Sequence, residues 1–325
     1  MHILIVKTSS LGDIVHTLPA LTDAVRAIPG LSCDWLVEQA FSEIPAWHPG
    51  VARTVACDLR GWRRQPLRTA FGGGWAAFRK ALRMQRYDRV VDAQGLVKSA
   101  WLAWQARGPV AGPDAACARE PLAAAFYRYR YAVPRHDAAH AVERARRLFA
   151  QALAYPLPEY APDAGLQRAR FAAPDLAQPY VVLLHGTTWE SKRWPQPRWA
   201  ELAAWLAARG LRVVLPWGSQ AEQRQAQAIA AACAGLVLPR LGLTALAGWL
   251  AHARACVGVD TGLAHLAAAL GTPQVSLYGP TVPQLTGAVG ANQVWLVSDT
   301  SGRIERARPN TVALERVQAA LAPLL

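Results

Sequence analysis

Short apolar, β-branched runs alternate with amphipathic helical segments along the chain, and the alternation runs through twice. Few folds accept that pattern. A strand followed by a crossover helix and another strand builds a parallel sheet covered by helices. In the first series, residues 2–8, 33–37, 54–57 and 89–92 read as strands. Helical spacing of apolar residues predicts helices over 14–28, 75–84, 96–105 and 140–153. Residues 155–179 then hold Pro156, Pro158, Pro162 and Pro174 with little periodicity, which marks a domain boundary. The second series has strands over 180–184, 211–215, 236–238, 255–259, 274–277 and 294–297. Its helices fall over 199–208, 221–233, 243–252, 263–270 and 311–321. The expectation is an α/β protein of two doubly wound Rossmann-like domains, 1–160 and 161–325, facing each other across a cleft. Ligands of such sheets bind outside the carboxyl ends of the strands.

A chain of 325 residues that is 52% hydrophobic, with 13 Trp, has material for two cores, which excludes a disordered protein. The charge is +13, and 31 of the 35 cations are Arg. Guanidinium groups match phosphates and carboxylates, so an anionic partner is expected: a phosphorylated substrate, anionic lipid or nucleic acid. The five Cys are widely spaced and form no C-x-x-C, which points to a reducing compartment and to neither disulfides nor a zinc site. The opening M-H-I-L-I-V-K does not read as a signal peptide, and no long uncharged apolar stretch reads as a membrane span.

Four strings fall at expected strand ends. The first is Lys7-Thr8-Ser9-Ser10-Leu11-Gly12-Asp13. Ser10 and Asp13 have capping-box spacing, so Asp13 either caps a helix or stands beside Gly12 as a general base. Asp92 is the second candidate base. The second string, His185 to Pro195, offers Thr187, Thr188 and Lys192 to phosphate oxygens; its alternative is a solvated polar loop. The third, Asp260-Thr261-Gly262-Leu263-Ala264-His265, runs into a helix N-terminus, where amides and the helix dipole favour anions. In the fourth, Trp217 to Glu222, the acid reads equally as a ribose acceptor or as a first-turn helix residue. Residues 53–89 carry ten cations against Asp58 and Asp88, a docking surface for a multiply anionic substrate or an Arg-rich solvated face.

K-T-S-S-L-G-D-I-V-H-T-L-P-A at 7–20, D-A-Q-G-L-V-K-S-A at 92–100, A-R-E-P-L-A at 118–123 and H-A-V-E-R at 140–144 resemble the lipopolysaccharide heptosyltransferases of glycosyltransferase family 9. So do H-G-T-T-x-x-x-K-x-W-P at 185–195 and D-T-G-L-A-H at 260–265, and the first two strings resemble the type I subfamily most. The resemblance implies a GT-B fold with an acceptor-binding first domain and a donor-binding second one. It implies inverting transfer of L-glycero-D-manno-heptose from ADP-heptose to the inner Kdo of Kdo2-lipid A, with no metal and no cofactor required.

Under it Asp13 is the base and Lys192 neutralises the leaving group. Thr187, Thr188 and Lys192 hold the donor phosphates and Glu222 the ribose; Asp260, Thr261, Gly262 and His265 complete the donor site. Ser10, Gly12, Arg60, Arg63, Arg64, Arg119 and His140 face the acceptor. The location implied is cytoplasmic, peripheral on the cytoplasmic face of the inner membrane, with contact to anionic lipid and none to nucleic acid. The alternatives are a sugar-nucleotide epimerase of the same architecture and a non-enzymatic anion binder.

Overall fold

The computed structural model describes residues 1–64, 73–298 and 310–325; of Arg60 and Arg63 it describes the backbone. Contacts divide the chain into two compact units, Met1–Leu166 and Gln167–Leu325.

In the first unit, β1 (His2–Val6), β2 (Ser32–Glu38), β3 (Val51–Cys57), β4 (Arg89–Asp92), β5 (Val110–Pro113) and β6 (Tyr129–Tyr131) form one parallel sheet. Its order is β3-β2-β1-β4-β5-β6. β1 sits in the middle, with Ile5 opposite Trp35 on one side and Val91 on the other. That is why Ile3 to Val6 is a continuous apolar run without alternation: helices cover both faces, and all four residues are fully buried. The single helix expected over 14–28 is two, Leu11–Val15 and Leu18–Ala27. Pro19 lacks an N–H and opens the second one, a position where that donor is not needed. Strands β5 and β6 were not foreseen.

The proline-rich stretch is not a free linker. Arg146 donates to the carbonyls of Pro158 and Tyr160 at 3.2 and 3.1 Å, and Arg26 pairs with Asp163. Gly165 has φ +66°, and a Cβ there would lie 2.5 Å from His48 Nε2. These contacts hold the segment on the first unit, so the division falls after Leu166 rather than after residue 160.

The second unit repeats the plan. β7 (Tyr180–Leu184), β8 (Arg212–Leu215), β9 (Leu236–Val237), β10 (Ala255–Val259), β11 (Gln274–Tyr278) and β12 (Gln293–Val297) form a parallel sheet in the order β12-β11-β10-β7-β8-β9. Trp194 and Trp199 pack edge to face in its core, 4.9 Å apart, and the Trp194 indole N–H donates to Val312 O at 2.8 Å. Each sheet reverses its order beside its first strand: between β1 and β4, and between β7 and β10. The carboxyl ends at those two points are where a doubly wound sheet offers its ligand site.

Candidate active site

At the β1/β4 point the backbone is cross-tied. Thr8 donates through its amide and hydroxyl to Gln94 Oε1, both at 2.8 Å, and Lys7 Nζ donates to Ala93 O at 3.0 Å. Asp92 is fully buried and accepts four hydrogen bonds, from the Gln94 and Gly95 amides and the Ser99 and Tyr127 hydroxyls. Burial pushes its carboxyl pKa up. Asp92 is thus the brace of the β4 turn and is not available as an alternative base.

Asp13 stands one turn into the first helix. Its Oδ2 accepts from the Ser10 amide and hydroxyl, each at 2.9 Å, so the capping geometry is present. Burial alone would raise its pKa. The Lys7 charge, the two Ser10 bonds and His16 outweigh burial and hold it at about 2. Capping and base chemistry are compatible: Ser10 fixes one oxygen and keeps the group ionised.

A pocket of about 50 Å³ opens here, lined by Lys7, Asp13, His16, Gln94, Cys117, Arg119 and Arg144 among others. His16 packs edge-on against His140, 5.3 Å between ring centres. His140 Nδ1 accepts from the Val142 amide at 3.1 Å and caps the helix Ala141–Leu153. Arg144, one turn along, is partly buried with no partner for Nε. Burial lowers its pKa, and Arg119 adds like-charge repulsion. Burial also lowers the Lys7 pKa, aided by Arg119 and Arg144 and opposed by Asp13.

Ser10, Gly12, Asp13, Arg119 and His140 are therefore brought together. Lys7 and Arg144 join them, although sequence reasoning gave neither a role. Lys7 looked like a strand end, and Arg144 was visible only inside the string at 140–144.

Arg64 is exposed at the end of the helix Leu59–Arg64 and does not line this pocket. The side chains of Arg60 and Arg63 lie outside the described residues, as does all of Arg68. The basic stretch is not one surface. Arg53 is tied to Asp34 through Nε at 2.9 Å and to the Tyr87 hydroxyl at 3.0 Å, and Arg89 lies 4.1 Å over the Tyr129 ring.

At the β7/β10 point, Lys192 Nζ lies 2.7 Å from Asp260 Oδ2, and His265 Nε2 lies 3.3 Å from Oδ1. Burial would raise the Asp260 pKa; the His265 hydrogen bond and charge, then Lys192, reverse that and hold the carboxylate well below the usual range. Lys192 also sits 4.5 Å over the Trp189 ring. Asp260 directly follows β10, and Thr261 is the N-cap of the helix Gly262–Ala269, so the Gly262 amide lies in its first turn. Thr187 is partly buried and Thr188 exposed in the loop after β7.

Glu222 closes a capping box: Oε2 accepts from the Gly218 and Ser219 amides at 2.8 and 3.0 Å. Its other oxygen faces Gly186, where a Cβ would come within 2.7 Å. The first-turn reading of Glu222 is thus present, and it aims the carboxylate at the end of β7. A groove of about 500 Å³ lies alongside, lined by Arg193, Arg224, Gln225 and Asn310 among others; sequence reasoning held Arg193 only inside the string at 185–195, without a role, and did not name the other three. Among the described residues, no three His, Cys, Asp or Glu are grouped to hold a metal ion.

The model of glycosyltransferase family 9 (heptosyltransferase) matches residues 75–314. The lipopolysaccharide heptosyltransferase 1 of Pseudomonas aeruginosa is 56% identical over 92% of this chain and 84% of its own length. That of Escherichia coli is 46% identical over 90% and 92%. The solved E. coli heptosyltransferase WaaC with ADP-2-deoxy-2-fluoro heptose superposes over 100% of both chains with TM-score 0.88 at 42% identity. With two doubly wound units and a matching family model over most of its length, the chain is a glycosyltransferase and belongs to glycosyltransferase family 9, the heptosyltransferases.

Proposed function

We propose that the chain transfers L-glycero-D-manno-heptose from ADP-heptose to the inner Kdo of Kdo2-lipid A, with inversion, at the cytoplasmic face of the inner membrane. The observation that carries this reading is the full-length likeness to a heptosyltransferase solved with an ADP-heptose analogue. In this reading the second unit holds the donor. Thr187, Thr188, Lys192 and the amide of Gly262 take the phosphates, Glu222 takes the ribose, and Asp260, Thr261 and His265 order the lysine and the sugar. ADP leaves as a stable anion, so departure needs charge neutralisation rather than a general acid. Lys192 and the helix N-terminus supply it, and no metal or other cofactor is required.

The first unit holds the acceptor and the base. Lys7, Arg119 and Arg144 line the pocket beside Asp13 and give it the charge to take a carboxylate of the acceptor. Kdo carries such a carboxylate. Asp13 Oδ2 is held by Ser10, and Oδ1 takes the proton from the attacking hydroxyl. A carboxylate at pKa about 2 is always ionised but weakly basic. An acceptor anion that draws Lys7 away raises its basicity when the nucleophile arrives. Arg60, Arg63, Arg64 and His140 contribute further acceptor contacts. No helix among the described residues is long and apolar enough to cross a membrane, in keeping with peripheral attachment. The test is release of ADP from ADP-heptose, which this reading ties to addition of a Kdo-bearing acceptor; an epimerase would alter the donor without one.

A further inference from the structure

The first unit carries an aromatic patch that the site above does not use. Trp101 and Trp104 lie on the helix Val97–Trp104 and are 40% and 61% exposed. Trp75, on the helix Gly74–Leu82, stacks on Trp101 with ring centres 4.9 Å apart and planes 14° apart. Trp62 and Phe78 close the cluster behind them. The two helices also meet near their ends, where Arg83 donates to Gln105 O at 3.4 Å. Met84, 65% exposed, follows directly, and Leu122, 75% exposed, lies on a short helix packed against Val97–Trp104. Stacked, exposed indoles with exposed Met84 and Leu122 on the adjoining elements mark an interaction surface.

Cations frame it. Exposed Arg79 lies one turn after Trp75, and exposed Lys98 lies one turn before Trp101. Arg83, Arg86 and Arg107 are exposed as well. The acids between residues 73 and 108 are Asp88 and Asp92, and exposed Glu120, beyond that stretch, is engaged by the Val97 amide at 2.7 Å at the start of the second helix. Asp92 is fully buried, and Asp88 accepts from the His2 amide at 2.7 Å. The positive charge around the tryptophans is therefore not answered within this stretch.

A second copy of the same face would bring like charges together. An anionic lipid surface answers both features. Indole rings settle at headgroup level, aliphatic side chains enter the acyl boundary, and Lys and Arg pair with anionic headgroups. We propose that the face formed by the helices Gly74–Leu82 and Val97–Trp104 docks the first unit on an anionic bilayer. The inference rests on the functional reading above only for its purpose, delivery to a lipid-anchored acceptor.

The test is co-sedimentation of the full chain with phosphatidylglycerol-containing vesicles and with phosphatidylcholine vesicles. The chain should partition to the anionic vesicles, and about tenfold less to the zwitterionic ones or at high salt. Trp104→Ser should weaken partition several-fold, and Trp101→Ser with Trp104→Ser about tenfold. The single variant, at the most exposed indole, guards against misfolding of the double. Trp104→Ser should keep full turnover on a deacylated, water-soluble acceptor and turn over several-fold more slowly on acceptor embedded in vesicles. No partition of the parent, equal partition of parent and variants, or salt-sensitive RNA binding or self-association lost with Trp104 would each overturn the proposal. Vesicle binding without transfer to either acceptor would instead sink the functional reading and leave the docking surface standing.

Discussion

Lys192 and Asp260 meet at 2.7 Å although 68 residues separate them, and His265 takes the other oxygen of the same carboxylate. The contact joins the loop after β7 to the end of β10 across the point where the sheet reverses its order. A lysine so held is preorganised: Asp260 fixes the place of its charge, as the proposed role toward the donor phosphates requires.

Removing it should slow transfer more than it weakens folding. Lys192→Ala should lower kcat/KM by on the order of 10²-fold, the scale of one lost preorganised donor, and weaken ADP binding. Lys192→Arg should not restore the rate, because the planar fork cannot occupy the place of a compact ammonium beside Asp260. Steady-state kinetics with ADP affinity by calorimetry check this; unchanged values in Lys192→Ala would remove the residue from the donor site.

Asp13→Ala should lower kcat by on the order of 10²–10⁴-fold while the donor KM stays near that of the parent. Asp92 offers no substitute, since its carboxylate already accepts four hydrogen bonds. Turnover close to the parent's in Asp13→Ala would end the assignment.

The acceptor cations should behave differently from the donor ones. Neutralising Arg60, Arg63 and Arg64 together should raise the acceptor KM, leave the donor KM nearly unchanged, and do so less as salt rises, because exposed charges are screened beyond about 8–10 Å. Arg content without a binding role would show no such asymmetry.

Much of this was legible from local patterns, and the gaps have local causes. The strings at 7–13 and 260–265 each sit on one strand-to-helix turn, so their members are neighbours in sequence and in space. Lys7 and Arg144 are not. They share a pocket because β1 lies beside β4 and the helix Ala141–Leu153 is packed over the sheet, a relation no window of residues displays. Strand β5 is four residues ending Gly112-Pro113, and β6 is a three-residue edge strand with exposed Tyr129 and Arg130. Neither carries the β-branched run that announced β1 and β7. The proline content of residues 155–179 signals a break in periodicity, and the division after Leu166 falls within it; the contacts of Arg146, Arg26 and Gly165 decide how far into that stretch the first unit reaches.

His48 is buried, bonded to Thr22 Oγ1 at 3.0 Å, and burial holds its pKa at about 4 against the ordinary 6.5. Below pH 6.5 the unfolded chain binds a proton that the folded one refuses. His48 therefore adds stability that is full above 6.5 and lost as pH falls towards 4, by up to about 3 kcal/mol. Urea midpoints of the parent and His48→Gln, compared at pH 7.5 and pH 5, should show a smaller pH dependence in the variant. Parallel pH dependences would contradict this.

Arg146 and Asp23 form a buried ion pair, Nε to Oδ2 at 2.6 Å, which fixes the helix carrying His140 and Arg144. Arg146→Met leaves the Asp23 carboxylate buried without its cation and should cost about 3–5 kcal/mol. Adding Asp23→Asn should recover part of the loss. Thermal melts of both variants test this, and an unchanged melting temperature in Arg146→Met would refute it.

Incubation with ADP-heptose and Kdo2-lipid A, followed by mass spectrometry and fragmentation of the product, should show one heptosyl unit on the inner Kdo. ADP should appear in equal amount, and Asp13→Ala should yield almost none of either. An unmodified acceptor, a heptose on any other sugar, or ADP released at the same rate without acceptor would contradict it.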